Sequence, residues 1–330
     1  MQILLTGATG FVGAAILRRL AKEDVYVRVL IRDSSNRSNI SGYDPEIFIG
    51  DLRDKSSLLK AMDDCDVLIH TAAEYRLWSK NPEEMIEANV TGTASILEAA
   101  ADSAVSKVVY TSSVAALGKS AKGTPVTETT PSQLADKIGT YKRSKFLAEE
   151  EALTIFRDRG LPLVIVNPSA PIGPGDIKPT PTGRMVVEAA KGKVPAYVDS
   201  GLNVVHVDDV AEGHWLALQK GKPGEKYILG GENLSLLQIL TLVTNAANVR
   251  PPKFKIPHNV ILPIAYASEF WARWITHKEP FTTVDGVRMS KTPMYFSSEK
   301  AKNELGYSPR PVQSAFEESV AWFRNNGYLN

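Results

Sequence analysis

The stretch Gly7-Ala8-Thr9-Gly10-Phe11-Val12-Gly13 constrains this 330-residue chain more than any other, because it follows directly on the apolar run Gln2-Ile3-Leu4-Leu5-Thr6. A strand-like run, a glycine-spaced turn and the apolar-periodic segment 14–21 read as strand, tight turn and helix. In such a turn Gly7 and Gly10 permit tight geometry and close approach of a ligand, and Gly13 lets the helix sit near the strand. Unpaired N–H groups and the dipole at the helix start then suit a dinucleotide pyrophosphate. A purely structural glycine turn is the alternative, and the position after the first strand weighs against it.

Strand-sized apolar runs recur at 25–31, 46–49, 67–70, 107–110 and 163–166, with helical patterns near 56–62, 82–101 and 141–158. This alternation predicts an α/β fold, a Rossmann-type, mostly parallel sheet covered on both faces. Beyond residue 170 the alternation weakens and Pro/Gly-bearing connections become more frequent. The expected division is therefore a predominantly dinucleotide-binding domain over 1–170 and a predominantly substrate-binding portion over 171–330, some of whose segments return to the first. At 204–210 a strand leads into a helix that Asp208 is placed to cap.

Thirty-eight basic residues against 37 acidic ones leave a formal charge of +1, which gives no electrostatic case for a nucleic-acid partner. A small-molecule partner is expected instead. Cys65 is the only cysteine, so an intrachain disulfide is excluded, and its place beside Val67-Leu68-Ile69 reads as a packed thiol. The short run Ile3-Leu4-Leu5 does not resemble a secretory signal, and no run approaches the roughly 18 apolar residues of a spanning helix. A reducing, cytoplasmic compartment fits. Tyr266, Phe270, Trp271 and Trp274 have helical spacing and read first as core. An apolar substrate pocket is the alternative, as is peripheral membrane contact if these rings and Lys278 lie outside.

Arg32 ends the second strand-like run, where an acidic side chain would receive the ribose hydroxyls of NAD. A guanidinium there, assisted by Arg37, suits the additional phosphate of NADP, while Asp33 remains placed for a ribose. NADP is thus the expected preference and NAD the alternative. Tyr141 and Lys145 have i,i+4 spacing, which puts a phenol and an ammonium on one helix face, where the cation favours phenol ionisation. That spacing alone is common on ordinary helix surfaces. Thr111-Ser112-Ser113 follows a β-rich run and brings hydroxyls either to the same cleft or to nearby backbone groups. The string 167–176, rich in Pro and Gly, reads as a turn beside the cofactor or as a structural loop. His206-Val207-Asp208-Asp209-Val210 holds too few ligands for a metal site, and none is expected.

The G-x-x-G-x-x-G spacing together with Ser113, Tyr141 and Lys145 resembles the extended short-chain dehydrogenase/reductase family over essentially the whole chain. The resemblance implies that Thr6, Thr9, Phe11 and Val12 join the three glycines in holding the dinucleotide. It also implies that Asp51 and Leu52 receive the adenine side, with loop capping after Gly50 the alternative for Asp51. Ala72 and Ala73 then line the cofactor, and Asn167, Pro168 and Ser169 lie beside nicotinamide. The resemblance selects Ser113 over Ser112 to hydrogen-bond the reacting oxygen. Tyr141 then exchanges the proton, and Lys145 tunes Tyr141 and contacts the ribose. Asn89 supports a water or hydrogen-bond network, local backbone organisation being its alternative.

The strings Ala73-Glu74-Tyr75-Arg76-Leu77-Trp78, Tyr141-Lys142-Arg143-Ser144-Lys145 and Val284-Asp285-Gly286-Val287-Arg288-Met289 resemble hopanoid-associated sugar epimerases and dihydroflavonol-reductase-like proteins, and make Glu74 and Arg76 candidate substrate contacts. Leu202 stands where enzymes of nucleotide-linked sugars carry an arginine, which fits a nucleotide-sugar pocket poorly. The expected function is NAD(P)-dependent interconversion of a carbonyl and a secondary alcohol. Epimerisation of a sugar, hopanoid-linked in the resembling branch, is one alternative, and a nonenzymatic dinucleotide-sensing or complex-forming protein is another. The family further implies a homodimer through helices of the nucleotide domain.

Overall fold

In β1 (Gln2–Thr6), Ile3 and Leu5 join one buried cluster and Leu4 joins another. The split repeats along the chain. After β2 (Tyr26–Ile31) and β3 (Glu46–Ile49), β4 (Val67–His70) sends Val67 and Ile69 one way and Leu68 the other. In β5 (Lys107–Thr111) Val109 opposes Val108 and Tyr110, and in β6 (Leu163–Pro168) Val164 and Val166 oppose Leu163 and Ile165. Strands apolar on both sides demand a sheet covered on both sides.

The computed structural model describes residues 1–330 except 76–77, 79–80, 120–123, 277–279 and 281. Its main sheet has seven strands in the order β10-β6-β5-β4-β1-β2-β3, where β10 is Lys226–Leu229. Every neighbouring pair in it is parallel. On one face lie α1 (Phe11–Leu20), α6 (Val207–Lys220) and α10 (Glu299–Leu305), contributing Leu17, Trp215 and Leu305 to the core. The other face carries α2 (Lys55–Met62), α3 (Pro82–Asp102) and α4 (Thr140–Arg159), contributing Leu58, Leu97 and Ala152. Chain order reverses between β1 and β4, the point where such sheets open a crevice at their carboxyl ends. Cys65, just before β4, is buried with its Sγ 3.5 Å from the Ala61 carbonyl oxygen.

A second, smaller sheet has the order β11-β9-β7, with β7 (Ala170–Ile172) parallel and β11 (Glu232–Ser235) antiparallel to β9 (Gly201–His206). Against it pack α5 (Pro181–Ala190), α7 (Leu236–Ala247) and α11 (Gln313–Asn325), through Val186, Ile239, Val243, Phe316 and Phe323. A reciprocal Ser235–Gln238 capping box starts α7. A two-residue pairing joins β8 (Ala196–Tyr197) to β12 (Phe254–Lys255), and α8 (His258–Trp271) runs beside α9 (Val284–Met289). No helix among the described residues is long and apolar enough to cross a membrane.

Three local expectations are corrected. The first helix begins at Phe11, so Gly13 sits inside its first turn. Helix α6 is capped by His206, whose Nδ1 accepts the Asp208 N–H at 3.0 Å, while the Asp208 carboxylate pairs with Arg18 at 2.8 Å. The aromatic stretch of α8 and the turn after it is not core: Phe270, Trp271 and Trp274 are 63, 57 and 67% exposed, and Tyr266 is exposed too. Only Ala265 of that helix is fully buried, because the face that meets α9 is narrow. Lys278 lies outside the described residues.

Candidate active site

At the β1–α1 turn the backbone leaves no room for side chains. Gly7 has φ +75°, and a Cβ on Gly13 would stand 2.1 Å from the Gly7 carbonyl oxygen. The Gly10 N–H donates to that same oxygen at 2.9 Å, and no side chain caps α1. This is the close helix–strand approach that a dinucleotide turn requires, with the helix start left to a ligand. Phe11 and Val12 are half-buried against the core. The Thr6 hydroxyl is committed inward, to His70 Nδ1 at 2.7 Å and to the Ala72 N–H at 3.3 Å. The Thr9 carbonyl oxygen accepts from Asn39.

Around the rim, Arg32 and Arg37 are exposed at and beyond the end of β2. Asp51 carries a bidentate partner, the Arg53 guanidinium, which together with the Arg53 N–H holds its carboxyl down at about 2. Leu52 packs on the second core cluster and Gly92. Ala72 is half-buried and Ala73 exposed at the crevice edge. Across it, Asn167 is fully buried in β6 and its Nδ2 donates to the Ser113 carbonyl oxygen at 3.0 Å, but its Oδ1 has no partner. Pro168 follows, and buried Ser169 also has an unpartnered hydroxyl. Buried polar atoms of this kind are rare without a ligand or water to meet them. Together with the uncapped helix start, they fit a dinucleotide along the crevice.

Ser113, two residues past β5, is extended, and its Oγ accepts the Ala115 N–H at 3.1 Å to cap the short turn that follows. Tyr141 stands in the first turn of α4, entered through Gly139 at φ +84°. Burial pushes the Tyr141 phenol up to about 12, and the neighbouring Ser113 hydroxyl opposes the rise. One turn further, Lys145 is buried with its Nζ donating to the Thr111 carbonyl oxygen at 3.1 Å, and desolvation brings its ammonium down to about 8. Burial, rather than the pull of Lys145, thus sets the phenol in this arrangement. The phenol therefore keeps its proton throughout the neutral range.

Asn89 uses its whole amide on protein groups. Its Oδ1 accepts the Glu74 N–H at 2.7 Å, and its Nδ2 donates to the Glu74 carbonyl oxygen and to Ser144 Oγ, both at 3.0 Å. That clamp places Tyr75, whose ring centroid lies 4.4 Å from that of Tyr141. Arg76 lies outside the described residues. The reading of the sequence passed over Tyr75 and Glu149 as site residues. Glu149 continues the Tyr141–Lys145 face by one more turn, and that register was its only signal. Among the described residues His206, Asp208 and Glu318 come within 4.8 Å of one another. His206 Nδ1 is already an acceptor, which leaves Nε2 to donate to Glu318 at 3.2 Å, a cap-and-pair arrangement with no ring lone pair free.

Residues 3–230 match the NAD dependent epimerase/dehydratase family. The chain belongs to it. Within this extended short-chain dehydrogenase/reductase group, the chain is 42% identical to a Synechocystis sp. protein named "Putative dihydroflavonol 4-reductase", with 98% of this chain and 95% of that one covered. Sterol demethylase protein B of Methylococcus capsulatus is 32% identical, with both chains covered in full. The crystal structure of gox2253 superposes with a TM-score of 0.90 at 49% identity, covering 100% of this chain and 99% of that chain. The protein is accordingly an NAD(P)-dependent enzyme of the oxidoreductase or epimerase type.

The turn geometry yields a direct test. Gly13→Ala drives a methyl group into the Gly7 carbonyl, and overpacking of this kind costs about 1–3 kcal/mol. The urea midpoint is expected to fall with the m-value unchanged; an unaltered midpoint would show that α1 shifts away at no cost.

Proposed function

We propose that this chain reversibly reduces a small or lipid-like carbonyl compound to a secondary alcohol, using NADP in preference to NAD. The observation that carries the reading is the Ser113–Tyr141 pair: a phenol that burial keeps protonated, beside a hydroxyl, with the buried Lys145 ammonium one turn further along the same helix. The substrate carbonyl oxygen accepts a hydrogen bond from Ser113 and the proton of Tyr141 as the carbonyl carbon gains hydride. The hydride is the chemistry that bound nicotinamide supplies. Lys145, one turn further along the same helix, is held at the Thr111 carbonyl, where its ammonium is placed to answer the negative charge left as the phenolic proton departs. Asn89, by fixing Glu74 and Ser144, positions Tyr75 and α4 rather than reaching the reacting oxygen. Cofactor contacts fall on the 1–170 portion, which also supplies Ser113 and Tyr141, and 171–330 completes the substrate-binding surface.

Support for reduction over epimerisation of a nucleotide-linked sugar comes from Leu202. It lies in β9, bridged to Met294 and packed on the second lobe's core, with no charge to offer a diphosphate. Exposed Arg32, at the end of β2, supports the NADP preference by offering a fork for a ribose phosphate. The exposed face of α8 and the following turn supports a peripheral membrane contact. Val260, Ile264, Tyr266, Phe270, Trp271, Trp274 and Ile275 are all exposed there. Glu269 turns away to the Val284 N–H, and exposed Arg273 adds a positive charge. Such a face suits an anionic lipid surface.

Tyr141→Phe is expected to cut carbonyl-dependent NADPH oxidation by roughly 100-fold or more while NADPH still binds, as followed by its fluorescence; full turnover in the variant would remove Tyr141 from the chemistry. Arg32→Glu is expected to reverse the NADPH-to-NADH ratio of kcat/KM by roughly tenfold or more, and an unchanged ratio would take Arg32 out of the cofactor site. In co-sedimentation with phosphatidylglycerol vesicles, the wild type should pellet and the Phe270→Ser, Trp271→Ser, Trp274→Ser variant should stay in solution. Equal partition of the two would leave the membrane contact without its face.

A further inference from the structure

A cavity of about 120 Å³ is walled in part by the residues that follow Ser113 and Tyr141 in the chain. Its wall begins one residue beyond each: Val114 and Ala115 follow Ser113, and Lys142 follows Tyr141. The lining is strongly one-signed. Among the described residues Lys119, Lys137, Lys142 and Arg288 contribute cations and Asp136 is the one acid, while Leu117, Met294 and Phe296 are among its apolar parts.

Three of the four cations are accounted for by the fold. Lys137 Nζ donates to the carbonyl oxygens of Ala116 and Leu117, at 2.8 and 2.5 Å, and lies 5.2 Å above the Phe146 ring. Lys119 pairs with Asp136 at 3.3 Å. Arg288 donates to the Tyr266 hydroxyl at 3.0 Å and lies 4.0 Å from Asp285. Lys142 differs. Its Nζ has Met294 Sδ at 3.2 Å as its hydrogen-bond partner, a weak acceptor. Burial and the nearby Lys119 bring its ammonium down to about 8. A cation brought into a half-apolar cavity without a counter-ion is costly, and an anion placed there recovers that cost.

We propose that this cavity receives an anionic group of the substrate, a carboxylate or a phosphate, with Lys142 as the residue that selects it. The proposal rests on the carbonyl-reductase reading, because it places the anion a short reach from a carbonyl held by Ser113 and Tyr141. The glycine turn contributes nothing to this wall, so the cavity is separate from the pyrophosphate position at α1. The apolar part of the lining lowers the local dielectric around the ion pair, which strengthens it and favours charged over neutral substrates.

Two measurements test it. The first compares kcat/KM for a phenyl-substituted γ-keto acid and its methyl ester, in the wild type, Lys142→Met and Lys142→Arg. The wild type should favour the acid by roughly tenfold or more, Lys142→Met should lose most of that ratio, and Lys142→Arg should keep it. A ratio that Lys142→Met leaves unchanged overturns the assignment, and because it is a ratio, a general loss of activity does not mimic the effect. The second needs no turnover: acetylation of Lys142 by acetic anhydride, read by peptide mass spectrometry, with exposed Lys60 as the reference. Benzoate or inorganic phosphate should slow modification of Lys142 relative to Lys60. Protection by benzoate alone identifies a carboxylate site and by phosphate alone a phosphate site; protection by neither overturns the proposal. Protection without turnover of any carbonyl supports the anion site and removes the reductase reading beneath it.

Discussion

Glu149 is a carboxylate shut away from water, and donors from three strands converge on it. Ser112 Oγ, just past β5, lies at 2.5 Å, Asn167 Nδ2 in β6 at 2.8 Å and Lys226 Nζ in β10 at 2.5 Å. A buried carboxylate is tolerated only when its lone pairs are met, and removal of a single partner from such a set costs several kcal/mol. Satisfying this one fixes the rotation of α4 against the sheet. Tyr141, Lys145 and Glu149 stand four residues apart on one helix face, so the rotation that seats Glu149 also brings Lys145 to the Thr111 carbonyl and Tyr141 to Ser113. Asn167 carries the constraint further, since its second N–H holds the Ser113 carbonyl. The Ser113–Tyr141 pair is thus aimed by residues that reach it through the helix register and the backbone.

The parts of this arrangement that a reader of the sequence can reach are those where backbone geometry dictates residue type. Gly13 is legible because no Cβ fits against the Gly7 carbonyl, and two-sided apolar strands are legible because a doubly covered sheet permits nothing else. Glu149 is not. It opens the run Glu149-Glu150-Glu151, which has the look of a solvated helix surface, and Glu150 is indeed exposed. Only the register with Tyr141 distinguishes the first from its neighbours. His206 hides for a related reason: an acidic residue in a first helical turn suggests a cap, but the ring nitrogen reaches the Asp208 N–H first and leaves the carboxylate to Arg18. In α8 the helical spacing of the aromatics was readable, but periodicity gives a face without saying what the face meets.

The cation-rich cavity and the exposed α8 face, on which two of the proposals rest, meet at one contact. Arg288, which lines the cation-rich cavity, donates to the hydroxyl of Tyr266, which belongs to the exposed aromatic face of α8. Desolvated cations and exposed rings make opposite demands on a ligand: the cavity rewards a compact anion and is penalised by neutral polar groups, whereas the α8 face rewards apolar area. A neutral sugar meets neither demand well, and a free inorganic anion meets only the first. Under the proposed reading, a carbonyl compound with an anionic end and an extended apolar body answers both demands. Leu202 agrees with that choice, because an apolar side chain at this point of β9 removes a charge from the second lobe while Lys142 offers one from α4, one residue from the phenol.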